Sequence, residues 1–350
     1  MTQLENSQGY CSENEANLSV NTAHHSSLSG TYTGIKPMGL FWSMIQDPGQ
    51  EPAGRRYMKR TVKTPQEVTI PLYEGHLTLE NVHSDKFKPL AMKTIESLFK
   101  RNDVTRVEIK HDRLKGTLFI PPGHGPFPGV LDMFGTVGGI MEFRAAMLAN
   151  KGFITFALCY MSSNEVDEIE TSYLQVKAVV NINCPFNSIA PLAPFDNCVH
   201  MDYSAVITVQ PDSSIELRTR DAICDNLTRE KLTQTWKTDV QILYLVGEDD
   251  QSLHPRCAQM FQETYPQSKR HNLTVVRYPN TGHLIEPPYL PVTSSNKKTY
   301  EDDVFGKKMQ KEVTLVWGGE TEAHAKAQED FWNRIIMFFY SVLLGKMYIR

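Results

Sequence analysis

The second half of the chain alternates between apolar runs and helical patterns, as is typical of a parallel sheet. Apolar stretches predict strands at Pro128–Phe134, Phe153–Cys159, Ala178–Ile182, Val240–Val246 and Asn272–Tyr278. Phe153–Cys159 is a continuous apolar run, which is typical of a strand buried on both faces. Apolar residues spaced three and four apart predict helices at Glu142–Asn150, from Ser162 or Ser163 to Val176, at His254–Tyr265 and at Glu320–Leu344. We therefore expect an α/β fold over residues 124–350.

The first half of the chain has a different pattern. Short strand-like segments broken by Gly and Pro occur at Leu40–Met44, Tyr57–Val62, Val68–Tyr73, Val104–Lys110 and Lys115–Ile120. They predict a small antiparallel sheet unit over residues 31–123, bounded by the breakers of Pro121–Pro126. Residues 1–30 are polar and without a period, which predicts a disordered leader. Residues 185–236 are polar and Pro-rich, which predicts an irregular excursion from the sheet.

Composition excludes several classes of protein. A chain of 350 residues that is 41% hydrophobic can bury a sizeable core, and its formal net charge of −4 does not suggest a nucleic-acid surface. No apolar run approaches the ~18 residues of a membrane span. The termini carry no secretory signal, mitochondrial presequence or peroxisomal address, so we expect a cytoplasmic protein.

Cysteine spacing gives no sign of a metal site. The six cysteines form no CxxC pair and have no histidine spacing of the zinc type, so we expect reduced thiols and neither metal nor cofactor.

A candidate acid–base pair follows two consecutive strands. Asp249 and Asp250 come after Val240–Val246, and His283 comes after Asn272–Tyr278. This order of acid and histidine is how an α/β-hydrolase sheet delivers two members of its catalytic triad. The alternative is that the acids form a solvated turn and that His283 lies in an ordinary Gly-His turn.

A glycine-rich turn follows the first buried strand of the predicted sheet. It comprises Gly135, Thr136, Val137, Gly138 and Gly139, whose backbone N–H groups are candidates for an oxyanion hole. A tight strand-to-helix turn without catalytic function is the alternative.

The nucleophile of such a triad is missing. No Gly-x-Ser-x-Gly or cysteine equivalent occurs, and residues 160–177 have room for only one crossover helix. Ser162 and Ser163 fit a helix N-cap better than a nucleophile, and Cys184 fits a buried structural thiol. We interpret His254 and Glu248 as surface groups and His324 as a helix-face residue.

Several motifs in order resemble the acyl-CoA thioesterase / bile acid-CoA:amino acid N-acyltransferase family. They are Gly34–Trp42, Lys115–Pro122, Gly125–Gly129, Asp132–Ala145, Leu245–Asp250, Tyr278–Tyr289 and Trp317–His324. The resemblance runs from about Tyr32 to Phe339. It implies an N-terminal β-sandwich followed by a C-terminal α/β-hydrolase domain, with Asp250 as the relay acid and His283 as the base.

This chain departs from the family pattern in two places. Its leader replaces the opening strands of the sandwich, which would be truncated. The likeness stops near Tyr160 and resumes near Tyr173, so about one strand–helix unit, including the nucleophile turn, has no counterpart.

The resemblance implies a function in fatty acyl-CoA metabolism, with fatty acyl-CoA as substrate and hydrolysis to fatty acid and CoA. Two alternatives stay open. One is an inert relative that binds acyl-CoA, and the other is a transferase that passes the acyl group to an amino acid.

Overall fold

The computed structural model describes most of the chain. The described residues are 2–6, 10–14, 31–46, 56–57, 61–75, 77, 81, 86–111, 114–135, 139–159, 175–186, 207–211, 214–224, 227–302 and 309–345. The helix predicted from Ser162 or Ser163 to Val176 lies almost entirely outside them.

The fold is mixed α/β, with several sheets and few helices. The strands are β1 (Thr2–Asn6), β2 (Tyr10–Asn14), β3 (Ile45–Gln46), β4 (Gln66–Leu72), β5 (Ala91–Ser97), β6 (Thr105–His111), β7 (Leu114–Ile120), β8 (Gly129–Asp132), β9 (Ile154–Cys159), β10 (Ala178–Ile182), β11 (Ile207–Val209), β12 (Ile215–Leu217), β13 (Gln241–Gly247), β14 (Leu273–Tyr278), β15 (Ser295–Asp302) and β16 (Met309–Val316). The helices are α1 (Gly39–Trp42), α2 (Phe143–Ala149), α3 (Arg220–Cys224), α4 (Arg256–Thr264) and α5 (Thr321–Leu344).

The strands form four sheets. Their orders are β3-β2-β1-β4-β5, β6-β7-β9-β8, β10-β13-β14 and β11-β12-β16-β15. Parallel pairing joins β8 to β9, β10 to β13 and β13 to β14. The parallel strands predicted for one sheet therefore belong to two, and among the described residues β8 and β10 are edge strands that do not pair with each other.

The chain divides into two compact units. The first comprises residues 1–57, 70–93 and 178–333. One hydrophobic core packs α4 against β13, whose residues from Ile242 to Gly247 are all buried. Phe261 on α4 is fully buried and stacks on Phe186 with ring centroids 4.1 Å apart.

The second unit comprises residues 58–69, 94–177 and 334–350. Its core lies between α2 and the sheet of β7 and β9, where Phe119 and Phe153 are fully buried. Phe153 also contacts Phe339, near the end of α5, with ring centroids 5.8 Å apart.

Some predicted elements differ from the observed ones. The strand predicted at Leu40–Met44 is wrong, because helix α1 lies there, with the N–H of Trp42 bonded to the Met38 carbonyl. Local backbone hydrogen bonds prevail over the β propensity of its aromatic residues. Tyr57 and Val62 are buried, but they are not in a strand.

Two strands lie where the sequence predicts a disordered leader. β1 and β2 form an antiparallel pair in which Thr2 faces Asn14 and Glu5 faces Cys11. Their backbones can pair without an apolar alternation, which explains why the polar composition of residues 1–30 gives no sign of them. The boundary between residues 123 and 124 stays a prediction.

No helix in the described part of the chain combines the length and apolar character needed to cross a membrane.

Candidate active site

The site is built where two parallel strands end. Asp250 lies three residues after β13, and His283 lies five residues after β14. Because both strands run in the same direction in one sheet, their carboxyl ends meet at one edge. The predicted pair is indeed brought together, since Nδ1 of His283 lies 2.8 Å from Oδ2 of Asp250.

Asp250 is held as an acceptor. It is 1% exposed, and its Oδ1 accepts the backbone N–H groups of Ser252 at 2.7 Å and Leu253 at 2.8 Å. These two donors fix the orientation of the carboxylate. The other oxygen therefore accepts the Nδ1–H of His283, which leaves Nε2 as the basic nitrogen of that ring.

The His283 ring is oriented on its other sides as well. Trp317 stacks on it with ring centroids 5.6 Å apart and an angle of 19° between the planes. The backbone N–H of His283 donates to the Trp317 carbonyl at 2.9 Å. The side chain keeps 22% of its surface exposed, and among the described residues none hydrogen-bonds Nε2. A ring nitrogen that is not taken up by another hydrogen bond is what general-base chemistry needs.

Asn183 ties the two strand ends together. Its amide nitrogen donates to the carbonyls of Gly282 at 3.0 Å and His283 at 2.8 Å, and its Oδ1 accepts the N–H of Gly247 at 2.7 Å. Asn183 has a φ of 48°, a left-handed conformation that asparagine tolerates better than most residues. Sequence reasoning missed Asn183, and the one usable signal for it was an Asn directly after a buried strand.

Asp249 has a different role from its neighbour. Its Oδ2 accepts the N–H of Gly319 at 2.7 Å, and its Oδ1 accepts the amide of Gln251 at 2.7 Å. Gly318 must be a glycine here, because its φ is 79° and a Cβ would lie 2.0 Å from the Asp249 carbonyl oxygen. The Asp-Asp motif thus supplies one acid for His283 and one acceptor for the loop that precedes α5.

A buried ion pair anchors the segment that follows His283. The guanidinium of Arg56 donates to Oε1 of Glu286, and less than an eighth of either side chain is exposed. Sequence reasoning missed Arg56, because it is 230 residues away along the chain.

The glycine turn lies in the second unit. Gly135 and Gly139 are described, whereas Thr136, Val137 and Gly138 lie outside the described residues. Arg144 binds the segment that precedes this turn. It forms an ion pair with Asp132 at 2.9 Å and donates a hydrogen bond to the Met133 carbonyl at 3.0 Å. The oxyanion-hole role stays a prediction.

The fallback nucleophiles gain no support. Ser162 and Ser163 lie outside the described residues. Cys184 is an exposed residue and not the buried one we expected, but desolvation raises the pKa of its thiol to about 11. At neutral pH it is a protonated thiol, which is a weak nucleophile.

The remaining candidates are placed as follows. Glu248 is exposed, as expected of a surface group. His254 is half-buried, and desolvation together with nearby Arg220 lowers its pKa. His324 lies on helix α5, and its side chain is fully buried.

Two family profiles match the chain. Residues 8–111 match the acyl-CoA thioester hydrolase/BAAT N-terminal region, and residues 157–345 match the BAAT / acyl-CoA thioester hydrolase C terminal. The second match covers more than half of the chain.

Curated proteins are similar over most of the chain. Human bile acid-CoA:amino acid N-acyltransferase is 32% identical, with 93% of this chain and 85% of the relative covered. Mouse acyl-coenzyme A thioesterase 3 is 29% identical, covering 93% and 82%. Mouse peroxisomal succinyl-coenzyme A thioesterase is 28% identical, covering 92% and 83%. The resemblance inferred from the motifs is confirmed: the chain belongs to the acyl-CoA thioester hydrolase/BAAT family.

Proposed function

We propose that this chain is an acyl-CoA thioesterase homologue that acts on fatty acyl-CoA with Asp250 and His283 as its acid–base pair. We further propose that its turnover is strongly reduced because the unit carrying the nucleophile is absent. The observation that carries the first part is the 2.8 Å contact between His283 Nδ1 and a buried carboxylate, while none of the described residues hydrogen-bonds Nε2. Family membership supplies the substrate class.

Two observations support the loss of a strand–helix unit. The match to the human relative runs over 374 positions, more than the 350 residues of this chain, so the relative has positions without a counterpart here. The parallel strands β8 and β10 also end up at the edges of separate sheets. In the full unit, a strand carrying Gly-x-Ser/Cys-x-Gly would deliver the nucleophile to His283.

The chemistry left to this chain is activation of water. Nε2 of His283 takes a proton from a water molecule whose oxygen attacks the thioester carbonyl carbon. The C–S bond then breaks, and the proton goes to the departing CoA thiolate. Asp250 stabilises the imidazolium in between. Removing the nucleophile of a triad costs about 10⁶-fold in turnover, so this route is slow.

A direct assay tests the proposal. The pure chain is incubated with palmitoyl-CoA, and free CoA is measured with a thiol-reactive dye, with a substrate-free blank to correct for protein thiols. We expect slow release that His283→Gln abolishes. Release no faster than in buffer would refute hydrolysis, and binding of a non-hydrolysable palmitoyl-CoA thioether would then identify an inert acyl-CoA-binding relative.

A transferase is the second candidate, because several relatives are named as amino acid N-acyltransferases. Adding glycine or taurine to the same assay distinguishes it. An N-acyl amino acid detected by mass spectrometry would favour transfer, and free fatty acid alone would favour hydrolysis.

A further inference from the structure

His324 makes contacts on both sides of the candidate base. It lies in the first turn of α5 and is 0% exposed. Its Nδ1 accepts the backbone N–H of Gly282 at 3.1 Å, and its Nε2 lies 2.9 Å from the carbonyl oxygen of Leu284. These two backbone groups belong to the residues immediately before and after His283.

The two partners fix the tautomer of His324. A backbone N–H can only donate and a carbonyl can only accept, so the ring must be neutral with its proton on Nε2. Desolvation lowers the pKa of His324, which keeps the ring neutral near pH 7. The side chain therefore satisfies one donor and one acceptor of the loop at once.

The chain makes room for this contact. Gly319 has a φ of 94°, and a Cβ there would lie 2.6 Å from Nδ1 of His324 and 2.7 Å from the Gly282 nitrogen. The start of α5 is tied to the same loop by a second bond, from the N–H of Glu320 to the Asn280 carbonyl at 2.8 Å. The first turn of α5 is thus packed directly against the loop that carries His283.

We propose that His324 is a positioning residue: by clamping the backbone on both sides of His283, it holds the imidazole on Asp250. It acts through the backbone of the loop and does not contact the reacting atoms. The inference rests on the proposed function, in which Asp250 and His283 form the acid–base pair. It goes beyond that proposal by assigning a role to a second histidine.

The test is a spectroscopic signature of the Asp250–His283 bond, because it does not depend on turnover. In the full chain labelled with ¹⁵N-histidine, the hydrogen-bonded Nδ1–H of His283 should give a strongly downfield proton resonance, assigned by its loss in His283→Gln. The informative variants are His324→Leu, which removes both clamp bonds, His324→Asn, which keeps an acceptor near the Nδ1 position, and His324→Gln, which keeps a donor near the Nε2 position.

The matched control is Gln328→Leu. Gln328 lies one turn further along α5 and is 1% exposed, and its Oε1 has no hydrogen-bond partner among the described residues. This change also places a leucine on the buried face of α5 but leaves the loop contacts intact. Its resonance should match that of the wild type.

We expect His324→Leu to remain folded by circular dichroism but to lose the His283 resonance. His324→Asn and His324→Gln should show it at reduced intensity. An undiminished resonance in folded His324→Leu would overturn the proposal. If that variant does not fold, full wild-type intensity in both amide variants would do the same.

Failure of this inference and failure of the proposed function give different results. An inactive protein that shows the resonance, and loses it in His324→Leu, supports the role of His324 and refutes hydrolysis. A wild-type protein without the resonance would overturn both, because the bond that His324 is proposed to hold would not exist.

Discussion

Replacing Glu142 by Gln should strongly destabilise the second unit, because its carboxylate is buried and fully engaged. Glu142 is 3% exposed. Oε1 accepts from Arg106 Nη2 and from Thr117 Oγ1, while Oε2 accepts from Arg106 Nε, Thr61 Oγ1 and the Val62 N–H. An amide NH₂ at either position would face at least two donors. Breaking one side of a buried ion pair costs about 3–5 kcal/mol, which is the loss we expect in the free energy of unfolding.

The sign of the pH dependence follows from the same contacts. Burial raises the pKa of Glu142, but the bonds from Arg106, Val62 and Thr117 outweigh it, and the pKa lies below the ordinary value of 4.5. The stabilisation is therefore fully present above pH 4.5 and is lost as the pH falls through the folded-state pKa. The difference between wild type and Glu142→Gln should shrink over that interval.

Glu108 provides the control, because it binds the same arginine at the surface. Its Oε1 lies 3.0 Å from Arg106, and its side chain is 41% exposed. Hydrogen bonds from Lys63 and Arg106 lower its pKa to about 2. Such an exposed pair adds little to stability. Urea denaturation should be followed by far-UV circular dichroism. Tryptophan fluorescence would not report directly on the second unit, because all four tryptophans lie in the first unit. A Glu142→Gln variant no less stable than Glu108→Gln would refute this reasoning.

Four further outcomes are expected. Asp250→Asn should move the His283 proton from Nδ1 to Nε2, visible in the ¹⁵N shifts of the ring, because the amide NH₂ would face that ring; unchanged shifts would contradict the assigned tautomer. Gln328→Leu should leave the urea midpoint unchanged or raise it slightly, since the buried Oε1 finds no partner in the described part of the chain; a clear fall would contradict this. As the pH is lowered through 6.5, the free energy of unfolding should decrease more for the wild type than for His324→Gln, because the His324 imidazole is protonated more readily in the unfolded state than in the folded state. Parallel pH profiles from urea titrations would contradict this. Finally, β8 is an edge strand among the described residues and its Leu131 is 44% exposed, so light scattering should detect concentration-dependent association that Leu131→Lys reduces. A sharp, cooperative melt above ordinary mesophile temperatures, without concentration-dependent association, would contradict this prediction.

The sequence predicted those elements whose own residues carry a burial signal. β9 and β13 are predicted from apolar runs because most of their residues are buried, and α5 is predicted from its apolar stripe. β14 is less covered, and Tyr278 is its one buried residue. The order of Asp250 and His283 was predictable for a related reason. Each residue follows its own strand, and the topology of parallel strands then brings both to one edge.

Other parts carry no such local signal. β15 and β16 pair along eight positions from Ser295–Val316 to Asp302–Met309, although β15 is almost wholly polar. Their stability comes from backbone bonds between strands, which a periodicity does not record. The hydrogen bonds that position the candidate site also join residues that are far apart in the sequence. Asn183 reaches His283 across 100 residues, and His324 reaches Gly282 across 42 residues.

These supports explain how the proposed acid–base pair could stay assembled if the nucleophile unit is absent. Within the described part of the chain, the bonds that orient His283 come from Asn183, from the turn after β13, and from residues 317–324 at the start of α5. None of these bonds involves residues 160–177, where the sequence predicts that the strand–helix unit is missing. Loss of the nucleophile unit would therefore remove the reacting atom but leave the geometry of the base intact. It follows that an intact Asp250–His283 contact does not by itself show that a nucleophile is present, because the contact depends on none of the residues expected to flank that nucleophile.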